Sequence, residues 1–146
     1  MQNTITITVA ESKYKEAIIA LLQSERLPVE DLPARFQNFF IATDNGFVIG
    51  AIGLEVYGRD GLLRSLVVKP EYRKMKIAEG LVNEVEKLGK SFGLAAIYLL
   101  TETAQRYFAG KGYQAIERKE APASLMQSSE FSHVCPASAV LMKKNL

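Results

Sequence analysis

The sequence has a single cysteine, Cys135, among its 146 residues, so an internal disulfide framework is excluded. A reducing cytoplasm is the simplest setting for such a chain. No apolar run approaches the roughly 18 to 20 residues that a membrane-spanning helix needs. The N-terminal stretch lacks the basic and long apolar segments of a secretory signal, so we expect none. A formal net charge of only +2 gives no global reason to expect nucleic-acid binding.

Apolar sequence, in contrast, is plentiful: the hydrophobic fraction is 48%, enough for the core of one domain over residues 1–146. Alternation over residues 4–9 predicts a strand, and Asp44-Asn45-Gly46 predicts a hairpin turn. The apolar stretch 62–68 predicts a strand buried on both faces, followed by an amphipathic helix and another buried strand. The predicted order is β-α-(α)-β-β-β-α-β-α-β-β, with the last strand near residues 137–142. We therefore expect an α/β domain whose mixed, mostly antiparallel sheet is flanked by helices.

Two segments carry the motifs, and the first is LVVKPEYRKMKIA, residues 66–78. It resembles a segment of the GNAT superfamily of acyl-CoA-dependent N-acyltransferases, in which a strand ending in apolar-x-V-x-P precedes R-x-x-G-x-G/A at a helix start. Val68, Pro70, Arg73 and Ala78 fit this pattern. Lys76 takes the place of the glycine.

The second segment is TETAQRYFAGKGY, residues 101–113, which is similar to the family's N-x-x-A-x-x-x-Y-x-x-x-G-F. Ala104, Gly112 and Tyr113 fit, whereas Thr101 replaces the asparagine and Phe108 replaces the tyrosine. Both segments occur in the family's order, after a hairpin, and the resemblance covers almost the whole chain. It implies a GNAT-like fold and acetyl-CoA as the acyl donor.

A narrower resemblance concerns three stretches: GLEVYGRDGLLRSLVV, IYLLTETAQRYFAGKGY and EFSHVCPASAVLM. They are similar to ArsN-type GNAT proteins, which are associated with arsenic-resistance operons. This resemblance implies a small-molecule acceptor without identifying it.

The helix that begins after RKMK is the expected phosphate site, because the free amides and dipole of a helix N-terminus attract anions. By resemblance, the preceding strand would pair with the pantetheine arm, and a backbone N–H there would polarise the acyl carbonyl. The alternative is that the lysines form only a solvated surface. The residues expected to contact the cofactor are Leu66, Val67, Val68, Arg73, Lys74, Met75, Lys76, Ile77, Ala78 and Phe108.

Lys76 leaves two alternatives open. If its position needs a positive φ, lysine costs about 1–2 kcal/mol there. If it is an ordinary residue of the first helical turn, its N–H still faces the phosphates and its ammonium favours them.

Proton transfer needs a base for the amine and an acid for the leaving thiolate. Glu55 is the candidate base, although a surface carboxylate at a strand end is an equal alternative. The resemblance implies an acid near Phe108, which has no hydroxyl. Tyr107, one place earlier, is the candidate acid, and water is the alternative.

Arg64 and Ser65 interrupt a buried strand pattern, and a buried arginine requires a partner. That partner is either Glu55 or a carboxylate of the substrate, and Tyr57 either lines the acceptor pocket or packs in the core. His133 and Cys135 form an H-x-C pair that is too small for a metal site, so no metal is predicted.

These features predict an N-acetyltransferase that transfers acetyl from acetyl-CoA to a primary amine of a small molecule, by direct attack in a ternary complex. The alternative is an acyl-CoA-binding or regulatory module with weak chemistry. No nucleic-acid or membrane partner is expected. Because GNAT proteins are often dimers, the apolar last strand is a candidate homodimer interface.

Overall fold

The computed structural model describes residues 4–27, 29, 32, 37–127 and 138–146. Short 3-10 turns aside, the described part of the chain forms seven strands and three helices. In chain order they are β1 (Ile5–Val9), α1 (Lys15–Ser24), β2 (Phe39–Asp44), β3 (Phe47–Tyr57), β4 (Asp60–Val68), α2 (Ile77–Ser91), β5 (Ala96–Thr101), α3 (Gln105–Gly110), β6 (Gln114–Ile116) and β7 (Val140–Asn145). They build one sheet of order β1-β2-β3-β4-β5-β7-β6.

The predicted order of strands and helices is confirmed, as is the mixed sheet, in which only β4 and β5 are parallel neighbours. The predicted hairpin is also present, because Asn45 and Gly46 both adopt the positive φ that a tight turn needs. The last strand lies later than predicted: β7 pairs along the whole of β5, with Val140 opposite Thr101 and Asn145 opposite Ala96. The helical turn expected before β2 falls largely outside the described residues.

The helices cover both faces of the sheet. Side chains alternate between faces along a strand, so Phe40 packs in the cluster with α2 while Phe39 and Ile41 pack in the cluster with α1. The apolar stripe of α2 includes Leu81 and Val85, which are fully buried. Among the described residues, no helix has the length and apolar character needed to cross a membrane.

The parallel pair β4 and β5 diverges soon after it begins. The two strands pair only over Asp60–Leu62 and Ala96–Tyr98, although both continue for several residues. The remainder of β4 keeps its pairing with β3 but has no β5 neighbour, so a gap opens in the sheet.

A bulge lies in the diverging part of β4. Ser65 and Leu66 together oppose the single residue Ile52 of β3, and Ser65 has φ of 60°. Such a bulge bends a strand and increases its local twist. It therefore directs the end of β4 away from β5 and toward the start of α2.

Candidate active site

A cleft of about 590 Å³ lies where β4 and β5 diverge. Its walls are the end of β4, the loop before α2, the first turn of α2, and α3 with the segment before it. Of the ten residues predicted to contact a cofactor, eight line this cleft, together with Tyr107. The eight are Leu66, Val67, Val68, Arg73, Lys74, Lys76, Ile77 and Ala78.

Met75 and Phe108, the other two predicted cofactor residues, do not line the cleft. The Met75 side chain is on the surface, with 54% exposure, whereas Phe108 is 4% exposed and packs edge-to-face on Tyr113 at 5.5 Å between ring centroids. Successive side chains of an α-helix are rotated by about 100° around the helix axis. This rotation turns Tyr107 toward the cleft and Phe108 into the core.

Lys76 has φ 61° and ψ 24°, in the left-handed region, immediately before α2. The alternative in which it is an ordinary residue of the first helical turn is therefore wrong. Its carbonyl accepts the N–H of Gly80 at 3.1 Å, so it forms the N-cap of the helix. Lys74 also has a positive φ, of 75°. The loop thus adopts a conformation that glycine favours, with lysine at the position where the motif has glycine.

Replacing Lys76 with glycine is expected to raise the free energy of unfolding by about 0.5–1 kcal/mol. Removing the Cβ relieves about 1–2 kcal/mol of left-handed strain, while the extra freedom of the unfolded chain offsets about 0.4–1 kcal/mol. Urea unfolding measures the change. Lys69→Gly is the matched control, because Lys69 has φ of −53° and should only lose stability. A Lys76→Gly protein no more stable than Lys69→Gly would contradict this account.

Two of the four cationic side chains that line the cleft, Arg73 and Lys111, form ion pairs with carboxylates of other elements. The Arg73 guanidinium forms an ion pair with Glu25, and its Nε donates to the Val68 carbonyl at 3.2 Å. The Lys111 Nζ lies 2.9 Å from Glu79 Oε1. The hydrogen bond between them lowers the pKa of Glu79 and raises that of Lys111. In both ion pairs, the basic and the acidic side chain line the cleft.

Three further hydrogen bonds, two at Asp44 and one at Thr101, fix segments beside the cleft. The Tyr72 hydroxyl donates to Asp44 at the end of β2, and Thr4 donates to the same carboxylate. These hydrogen bonds lower the pKa of Asp44, and the Asp44 acceptor raises the pKa of Tyr72. Across the cleft, Thr101 Oγ1 at the end of β5 accepts the N–H of Ala104 at 2.9 Å, which fixes the short segment between β5 and α3.

Seven residues of the cleft were not among the predicted site residues. Tyr72, Glu79, Thr103, Ala104 and Lys111 adjoin predicted positions or lie within the second motif, so their places in the sequence offered a signal. Glu25 and Leu27 have no such signal, since they reach the cleft from the end of α1. The seven are Glu25, Leu27, Tyr72, Glu79, Thr103, Ala104 and Lys111.

The predicted base and acceptor residues form a second group, which does not line the cleft. Arg64 Nη1 donates to Glu55 Oε2 at 2.9 Å, and its Nε donates to Ser65 Oγ at 3.0 Å. The Tyr57 hydroxyl donates to Glu55 Oε1 at 2.9 Å. The Arg64 side chain is fully buried, and of the two partners left open for it by the sequence, Glu55 is the one that it contacts in this structure. Ser65 is joined directly to Leu66, so the bulge connects this group to the cleft.

Tyr107 is partly exposed on the cleft wall, and the Lys111 ammonium lies 5.8 Å from its ring centroid. Burial is the main cause that raises the pKa of Tyr107, so its phenol stays protonated near neutral pH. No group of three potential metal ligands occurs among the residues that the structure describes. His133 and Cys135 lie outside them.

The chain matches known proteins in sequence and in fold. The model of the acetyltransferase (GNAT) family matches residues 9–113. An uncharacterized N-acetyltransferase of Chlorobaculum tepidum is 30% identical over 95 residues, which cover 64% of this chain and 61% of that protein. An amino-acid acetyltransferase of Aeromonas salmonicida is 24% identical over 95 residues, which cover 64% of this chain and only 22% of that protein.

Solved structures share the fold. N-acetylglutamate synthase from Neisseria gonorrhoeae, complexed with coenzyme A and N-acetyl-glutamate, superposes with a TM-score of 0.83 at 17% identity, covering 100% of this chain and 36% of that one. The PaiA N-acetyltransferase from Thermoplasma acidophilum, complexed with coenzyme A, has a TM-score of 0.74 at 17% identity, covering 99% of this chain and 100% of that one.

Proposed function

Because this chain belongs to the acetyltransferase (GNAT) family, we propose that it is an N-acetyltransferase that uses acetyl-CoA and acetylates a primary amine of a small molecule. The observation that carries the proposal is the cleft between the diverging strands, which runs to the N-terminus of α2. A gap beside an unpaired strand edge suits an extended, amide-bearing chain such as pantetheine. Two of the solved structures that share this fold are complexes with coenzyme A, which supports acetyl-CoA as the donor.

The residues of the cleft suit both the pantetheine arm and the phosphates of acetyl-CoA. Leu66, Val67 and Val68 provide backbone groups and apolar side chains along the arm. At the other end, the free amides at the start of α2 favour phosphate, and the side chains of Lys74 and Lys76 add positive charge. Arg73, held by Glu25 and the Val68 carbonyl, positions this loop on β4.

Acetyl-CoA supplies an activated acetyl group as a thioester. Attack by an amine forms a C–N bond and breaks the C–S bond, so the amine loses a proton and the thiolate gains one. Glu55, which accepts hydrogen bonds from Tyr57 and Arg64, is the proposed base, acting directly or through water. The acceptor is proposed to bind beside Tyr57, Arg64 and Ser65, and the Ser65 hydroxyl accepts from Arg64. Tyr107 is the proposed acid, because its protonated phenol lines the cleft. Transfer would be direct, in a ternary complex.

The acceptor class is proposed from the relatives' names. One of them, the Aeromonas salmonicida protein, is named an amino-acid acetyltransferase, although this chain spans only 22% of it. An amino acid or a close analogue is therefore the first acceptor to test. The ArsN-type resemblance stays a prediction and adds arsenic-containing amino-acid analogues. A cytoplasmic location and a homodimer are parts of the proposal that need localisation and sedimentation measurements.

Calorimetric titration with acetyl-CoA, followed by an assay of CoA release across amines and amino acids, tests the proposal. We expect saturable binding and release of free CoA with at least one amine class. Absence of binding at millimolar acetyl-CoA would overturn it.

A second candidate function is an acyl-CoA-binding module with weak chemistry. It is favoured by the strained Lys76 in the phosphate loop and by Phe108, which lacks a hydroxyl and faces the core. Binding of acetyl-CoA without turnover on any acceptor would support this candidate over the enzyme.

A further inference from the structure

The ion pair between Lys111 and Glu79 joins two walls of the cleft. Lys111 directly follows α3, whereas Glu79 lies in the first turn of α2, and both side chains line the cleft. Their Nζ and Oε1 atoms are 2.9 Å apart, and the Lys111 ammonium also lies near the Tyr107 ring. The pair therefore lies beside the helix N-terminus at which phosphate is expected to bind.

The position of Glu79 opposes the binding of phosphate at the N-terminus of α2. A carboxylate in the first turn of a helix interacts favourably with the helix dipole, and Lys76 adds to the positive field around it. The same charge repels a phosphate that approaches the free amides of α2. The Glu79 side chain is 41% exposed, so it can rotate into solvent without leaving a buried charge.

We propose that Lys111 is a phosphate-binding residue of this cleft. Its ammonium is paired with the Glu79 carboxylate until a phosphate of acyl-CoA takes the place of that carboxylate. The inference rests on the proposed function, since it assumes that acyl-CoA is the ligand. A partly exposed ion pair contributes little stability. The pyrophosphate taken as a whole and the 3′-phosphate of CoA each carry more negative charge and more acceptor oxygens than one carboxylate. The exchange of partners is therefore favourable.

The consequence is that Glu79 weakens binding while Lys111 strengthens it. Removing Glu79 frees the ammonium and removes a repulsion, whereas removing Lys111 deletes one charge-assisted hydrogen bond to phosphate. Glu79→Gln should therefore bind CoA about threefold to tenfold more tightly, and Lys111→Gln about tenfold more weakly. Lys111→Arg should retain most of the affinity, because it keeps the charge and the donors.

Calorimetric titration of the full chain with CoA provides the test without relying on activity. The pair Glu84 and Lys87 is the matched control, since it lies on the same helix, 3.8 Å apart, and does not line the cleft. Glu84→Gln and Lys87→Gln should bind CoA within about twofold of the unmodified protein. Opposite shifts for the two cleft variants, with unchanged controls, would support the proposal.

Repeating the titrations with dephospho-CoA identifies the phosphate. If Lys111 binds the 3′-phosphate, the loss in Lys111→Gln disappears with dephospho-CoA; if it binds the pyrophosphate, the loss persists. Equal CoA affinity in Lys111→Gln and the unmodified protein would overturn the role of Lys111. Unchanged or weaker binding in Glu79→Gln would overturn that of Glu79. Failure of the unmodified protein to bind CoA would instead overturn the proposed function, and this inference with it.

Discussion

Replacing Glu55 with alanine is expected to lower the free energy of unfolding by about 3 kcal/mol. Arg64 is 2% exposed, and the Glu55 carboxylate is the acidic partner that its guanidinium contacts at 2.9 Å. Truncating Glu55 leaves the guanidinium inside the protein without this counter-charge, and desolvated charge is expensive. Equilibrium unfolding in urea, followed by circular dichroism, measures the loss.

The control for this prediction is Glu84→Ala, which removes the acidic member of an exposed ion pair on α2. Such pairs contribute about 0–1 kcal/mol, so its effect should be small. Arg64→Met should be milder than Glu55→Ala, because methionine fills buried space and the partly exposed Glu55 can be solvated. A Glu55→Ala protein within about 0.5 kcal/mol of the Glu84→Ala control would show that the buried pair contributes little.

Replacing Glu55 with glutamine tests its role as the base. We expect turnover about 100-fold lower than in the unmodified protein, and CoA affinity within about twofold of it. The amide can still accept a hydrogen bond from Arg64 and bond to Tyr57, so the fold is better preserved than in the alanine variant. The amide does not take up a proton near neutral pH, and general-base catalysis contributes about 10²–10⁴ in rate. Steady-state kinetics at saturating acetyl-CoA and acceptor measures the change.

Tyr57→Phe is the matched variant for this comparison. It removes the hydroxyl that donates to Glu55 Oε1 but leaves the carboxylate and Arg64 in place. We expect it to lower turnover by less than tenfold, with unchanged CoA affinity. If Glu55→Gln retains turnover close to that of Tyr57→Phe, Glu55 serves only as the partner of Arg64, and the base must be another group or water.

The sequence by itself determined the order of elements and most of the cleft wall. Apolar periodicity and turn residues act over a few residues, which is why the strands, α2 and the Asn45-Gly46 turn could be predicted. The helix start after residue 76 was predictable because a helix N-terminus leaves amides free, whereas the part of residues 66–68 in the cleft was implied by the resemblance to the GNAT motif. Met75 is the one residue of 73–78 that does not line the cleft.

Only the tertiary structure decided which charges meet and which side chains face the cleft. Arg73 and Glu25 are 48 positions apart in the chain, and Lys111 meets Glu79 only because α3 packs beside the start of α2. Phe108 turns inward and Tyr107 outward because the core accepts one face of α3. For Lys76 the sequence left two alternatives open, and the structure decides for the left-handed φ. No local pattern encodes these outcomes, since each depends on how distant elements pack.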